Sequence, residues 1–104
     1  MATAETNIQN AAMIALSAAG CLVFRNNTGI LPGADGRAVK FGLAKGGCDI
    51  IGICADGKFL GVEIKTATGR VSASQTAFIA AVVRAGGRAG VARSAAEAVA
   101  IARG

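Results

Sequence analysis

The chain has 104 residues, 53% of them hydrophobic, a size and composition that suit one compact domain around a single core. Eleven Lys and Arg against six Asp and Glu leave a net charge of +5, which favours a polyanionic partner. There is no His, so Ser-His-Asp and Cys-His mechanisms are excluded, and any catalysis must run on carboxylates, Lys and a borrowed cofactor or metal.

The first predicted element is a helix from Ala4 to Ala19, with Ile8, Ala12, Ile14 or Ala15, and Ala19 at helical spacing, Thr3 as N-cap and Gly20 as terminator. The apolar run from Ala11 to Phe24 is interrupted by Ser17 and Gly20 and falls short of the roughly 20 residues a membrane span needs. It follows Glu5, Gln9 and Asn10 rather than a basic segment, so neither a membrane anchor nor a signal peptide is expected, and the location expected is the cytoplasm. Cys21, Cys48 and Cys54 have apolar neighbours and form no CxxC pair, which suits buried, reduced thiols.

Cys21-Leu-Val-Phe24 reads as a short strand, the Gly-rich stretch from Arg25 to Gly36 with the only proline as an exposed loop, and Ala38 to Phe41 as a brief strand before a turn over Gly42 to Gly47. The segments from Asp49 to Cys54 and from Lys58 to Thr66 flank Ala55-Asp56-Gly57, a strong hairpin signal. Ser72 opens a helix to about Ala85 whose apolar face is Ala77, Phe78, Ala81 and Val82, and Gly86-Gly87 closes it. Arg88 to Arg93 suits a last strand, and Ser94-Ala-Ala-Glu97 is a capping box that begins a final helix. The expected fold is therefore α/β, in the order α-β-β-β-α-β-α, with helices packed on a small mixed sheet of three or four strands over residues 1–104.

On the second hairpin strand Glu63 and Lys65 point to one face, while Leu60, Val62 and Ile64 point to the other. Charges on a hydrophobic strand cost several kcal/mol or more unless a cation or a pairing compensates them. A two-residue turn at Asp56-Gly57 would leave Asp49 and Glu63 on different faces. A three-residue turn with Gly57 left-handed pairs Cys54 with Lys58 and Asp49 with Glu63, and this second register, or an irregular backbone at Asp49 with the same effect, is predicted. The bland reading of Glu63 and Lys65 is a half-exposed strand carrying an ion pair. Asp49, as a third charged group, tips the balance towards a site.

Gly-Gly-Cys-Asp49, then thirteen residues, then Glu63-Ile-Lys65, with Gln75 opening the next helix and Glu5 in the first, resembles the PD-(D/E)xK nuclease superfamily. Phe24-Arg-Asn-Asn, Phe41-Gly-Leu, Gly61-Val-Glu-Ile-Lys, Gly69-Arg-Val-Ser and Gly86-Gly, in that order, narrow the resemblance to a stand-alone, phage-type VRR-Nuc domain. Cys48 departs from the Pro in the superfamily's name, at a position that varies. The resemblance implies a restriction-endonuclease-like core in which Asp49, Glu63, the carbonyl of Ile64 and Glu5 hold Mg2+ or Mn2+. It further implies that Lys65 orients or deprotonates the attacking water and that Gln75 positions Lys65 or the water. Products with 5′-phosphate ends and a homodimer acting on four-way (Holliday) junctions follow from the same likeness, in the cytoplasm of a host bacterium if the chain is phage-encoded. A less selective nicking or flap nuclease, or an inactive DNA-binding module, remains open.

Two of these residues have simpler roles beside the implied ones. Ser72-Ala-Ser-Gln75 is itself a capping box, and Glu5 suits the positive end of the first helix. Asp56 belongs to turn chemistry and Glu97 to capping. Arg25, Arg37, Lys40, Lys45 and Arg70 fall in loops on the side of the expected site, as DNA-phosphate contacts or as ordinary surface. Four Phe with no Trp or Tyr argue against a base-stacking platform and for recognition of backbone shape.

Overall fold

The computed structural model describes residues 3–26, 29–41 and 46–104. The chain order is α1 (Ala4–Ala18), β1 (Leu22–Arg25), β2 (Gly29–Pro32), β3 (Ala38–Phe41), β4 (Ile50–Ile53), β5 (Phe59–Ile64), α2 (Ala73–Arg84), β6 (Arg88–Ala92) and α3 (Ala95–Arg103). Strands β1, β4, β5 and β6 form one sheet in that order, antiparallel except for the parallel β5–β6 pair, which α2 connects. This is the expected mixed sheet with three helices. The stretch read as an open loop, however, contains β2, which pairs antiparallel with β3 in a separate ribbon. Gly29 and Pro32 hide that strand from a propensity reading, and among the described residues the ribbon pairs only within itself.

The helix ends obey capping chemistry. The Thr3 hydroxyl accepts from the Thr6 N–H at 3.1 Å, and Gly20, at φ +90°, follows the C-cap Ala19. Along α1, Ala12 and Leu16 are fully buried with Ile8 and Met13 packed beside them, whereas Ile14 is 73% exposed. The inward stripe thus runs through Leu16, which the Ala-rich pattern had left unranked.

The core lies between the sheet and the pair α1 and α3: Ile50, Leu60, Val62 and Ile64 meet Ala12, Leu16, Ala98 and Ala102. The small helix residues let both helices sit close to the sheet, and truncating Leu16 to Ala should cost about 2–5 kcal/mol. No residue of α2 joins this cluster, which puts α2 against the other face of β5 and β6. Half-buried Phe78, Ile79 and Val82 make its contacts, while Ala77 and Ala81, expected inward, are exposed. Among the described residues no helix packs on that other face over β1 and β4. Leu22, Ile53 and Phe59 lie in one cross-strand row at 57%, 45% and 41% exposure, with Phe24 at 53% beside them.

The hairpin turn sets the register. Cys54 N–H donates to the Lys58 carbonyl at 2.7 Å, Gly57 N–H donates to the Cys54 carbonyl at 2.8 Å, and Gly57 has φ +91°. This is the three-residue turn with a left-handed glycine. Its ladder runs from Ile53↔Phe59 to Ile50↔Val62, and one further step sets Asp49 opposite Glu63.

Candidate active site

Asp49 enters the site from the residue just before β4, and two backbone contacts hold it there. Asn26 N–H donates to the Asp49 carbonyl at 2.8 Å, and the Asn26 side-chain amide donates to the Cys48 carbonyl at 3.0 Å. The Asp49 carboxylate accepts from the Ile64 N–H on β5 at 2.9 Å. One oxygen is thereby fixed against the strand that carries Glu63 and Lys65. Gly46 is wedged against the start of α2: a methyl built there would stand 2.5 Å from the Ser74 carbonyl oxygen.

Glu63 is 3% exposed, and its Oε2 has no hydrogen-bond partner among the described residues. Its carboxyl is pushed up to about 8 by burial, by the hydrogen bond to Asp49 and by that group's charge, with Glu5 adding repulsion and Lys65 opposing it. The Cys48 thiol is pushed up to about 12 by burial and by the charges of Glu63 and Asp49, so it stays neutral. Lys65, half-buried, follows β5 directly, and its N–H donates to the Ala92 carbonyl on β6 at 3.1 Å.

The sequence candidates therefore fall into three groups. Asp49, Glu63 and Lys65 come together. Glu5 is exposed in the first turn of α1 and acts on Glu63 through charge alone. Among the described residues no three acidic, Cys or His side chains form a ready-made ligand set. Gln75 spends its carbonyl oxygen on the Ser72 N–H at 2.9 Å, while Ser72 Oγ accepts from the Gln75 N–H, so its capping role is realised. Of the cationic candidates, Arg25 donates to the Asn10 side chain beside the Asn26 clamp, and Arg70 is exposed just past the 66–69 turn. Arg37 pairs loosely with Asp35 at 3.8 Å near the β2–β3 connection. Lys45 and the side chain of Lys40 lie outside the described residues.

A divalent cation fits this chemistry. Asp49 lies beside the buried Glu63 carboxyl, and one Glu63 oxygen is left without a partner among the described residues. Such an arrangement is costly for a proton-free pair and suits a hard, oxygen-seeking ion. Asn26 and Cys48, though inside the quoted motifs, carried no assigned role in the sequence, since one works through backbone carbonyls and the other through packing. Asp56, read as a turn residue, also forms a 2.8 Å ion pair with Arg88.

A mixed four-stranded sheet whose antiparallel hairpin sets Asp49 opposite Glu63, between helices on both faces, defines an α/β fold with a carboxylate pair at one end of the hairpin. The family profile of the VRR-NUC domain matches residues 31–96, and the chain belongs to that family. It is accordingly a nuclease domain, a hydrolase whose substrate is DNA. A solved structure described as a VRR_NUC domain superposes with a TM-score of 0.67 at 22% identity, covering 98% of this chain and 97% of the other. No curated protein matches the chain. No helix among the described residues is long and apolar enough to cross a membrane.

Proposed function

We propose that the protein is a divalent-cation-dependent, structure-selective DNA endonuclease that works as a homodimer on four-way junctions and leaves 5′-phosphate ends. The observation that carries the site assignment is the buried Glu63 carboxylate with its partnerless Oε2 beside Asp49. Asp49, Glu63, the Ile64 carbonyl and Glu5 are the groups that would hold Mg2+ or Mn2+. The ion supplies Lewis acidity at the phosphate and acidifies bound water.

Lys65 orients or deprotonates the attacking water and offsets charge at the phosphate. Gln75, with its carbonyl oxygen held by Ser72, has its amide nitrogen for positioning Lys65 or the water. Water attacks phosphorus in line as the P–O3′ bond breaks, which yields a 5′-phosphate and a 3′-hydroxyl. Arg25, Arg37, Lys40, Lys45 and Arg70, within a net charge of +5, track the DNA backbone. The bare row of Leu22, Phe24, Ile53 and Phe59 supports the dimer, because a two-fold axis through one apolar patch covers both copies at once. The cytoplasm of a bacterial host is the compartment that fits the reduced thiols.

Incubation with end-labelled branched, flapped and linear DNA in Mg2+ or Mn2+, followed by mapping of the cut ends, tests this reading. Paired, symmetric cuts at the four-way junction with 5′-phosphates are expected. Cutting of flaps and nicks at similar rates would reduce the function to the less selective nuclease, and binding without cleavage in either metal would leave a DNA-binding module.

A further inference from the structure

Arg93 lies just past the end of β6, where the parallel register that pairs Ile64 with Ala92 sets it beside Lys65. Its guanidinium spans the turn that follows Lys65: one nitrogen donates to the Thr66 carbonyl and, at 2.8 Å, to the Gly69 carbonyl. The same Thr66 carbonyl accepts the Gly69 N–H at 3.1 Å, so the turn is closed twice at one oxygen. Among the described residues no carboxylate forms an ion pair with this guanidinium. A charged, part-buried group held by carbonyl oxygens alone is an expensive way to brace a surface turn, unless the turn supports something.

What it supports is the Lys65 side chain. A methyl built at Gly69 would stand 3.4 Å from both Cβ and Cδ of Lys65, an ordinary contact, and 3.3 Å from Thr66 Oγ1, so the turn runs beside the lysine stem with about one methyl's room between them. The Arg93 backbone is tied down in its turn, since its N–H donates to the Glu97 carboxylate at 2.8 Å at the head of α3. We infer that Arg93 is a positioning residue for cleavage: anchored by α3, it clamps the 66–69 turn and so fixes the Lys65 amine relative to Asp49 and Glu63. This rests on the nuclease reading above.

The test uses the full chain with Arg93→Ala, Arg93→Lys and Gly69→Ala. It combines single-turnover and steady-state cleavage of junction DNA in Mn2+ with amide hydrogen exchange over residues 65–70. Arg93→Ala should lower kcat roughly 10- to 100-fold with KM unchanged, as misplacement of a reacting group does. It should also speed exchange at the Gly69 amide, and Arg93→Lys should restore part of both. Gly69→Ala, which keeps the guanidinium but presses a methyl on Thr66 Oγ1 beside the Lys65 stem, should lower kcat in a folded protein, and with Arg93→Lys it carries the test if Arg93→Ala does not fold. A rise in KM at unchanged kcat would make Arg93 a DNA-phosphate contact and overturn the inference, as would lost activity with unchanged exchange. Absence of cleavage by the wild type would sink the nuclease reading instead, and the exchange data would still decide whether Arg93 holds the turn beside Lys65.

Discussion

The two ends of the β4–β5 hairpin carry acidic residues in opposite circumstances. At the turn, exposed Asp56 meets the Arg88 guanidinium at 2.8 Å, and Arg88 also donates to the Ala102 carbonyl at 2.9 Å. Arg88 holds the Asp56 carboxyl below its usual range, and every group there is matched. At the open end Glu63 is buried opposite Asp49, and burial and that neighbour push its carboxyl the other way. One end is arranged for the folded chain by itself. The other is arranged for something that the chain must acquire, and the contrast separates a structural charge from a functional one.

Asp49→Asn and Lys65→Ala should break the comparison most, each lowering cleavage by about 10³-fold or more in a steady-state assay, with circular dichroism unchanged. Unfolding of the Asp49→Asn protein would place Asp49 with Asp56 as a structural charge. Asn26→Ala sharpens the open end more gently. Freeing the Cys48 carbonyl, while the backbone bond to the Asp49 carbonyl remains, should cost about 1–2 kcal/mol in a denaturant melt and should lower kcat roughly 10-fold.

A smaller effect concerns pH. The folded protein holds the Glu63 proton more tightly than the unfolded chain, whose carboxyl has its ordinary value of 4.5. The stabilisation is fully present below that value and is lost as pH rises through about 8. In EDTA the Tm should fall between pH 6 and 9, and Glu63→Gln should flatten the slope. The smallest change belongs to the turn. Asp56→Asn should leave cleavage unaltered and shift the Tm less than Glu63→Gln does, as an exposed pair screened by solvent allows.

Much of this was legible in the sequence, for local reasons. Alternation along β5 exposed Glu63 and Lys65 as intruders on an apolar strand, and Ala55-Asp56-Gly57 set the register because only a left-handed glycine closes that turn. Thr3, Ser72 and Ser94 all cap as read, although Glu97 reaches back to the Arg93 N–H rather than to its own cap. What stayed hidden acts at a distance along the chain. Strand β2 depends on β3 for its pairing, and Asn26 and Arg93 work through backbone carbonyls of other segments, which leave no spacing to find. Arg88, at the start of the predicted last strand, likewise meets Asp56 only through the fold.

Calorimetric titration of Mn2+ into the wild type, Asp49→Asn, Glu63→Gln and Asp56→Asn tests the central contrast most directly. The wild type and Asp56→Asn should bind one ion alike, while Asp49→Asn and Glu63→Gln should lose at least about 10-fold in affinity, the usual cost of a missing hard ligand. Equal binding by all four proteins would contradict the assignment of the open end as the cation site.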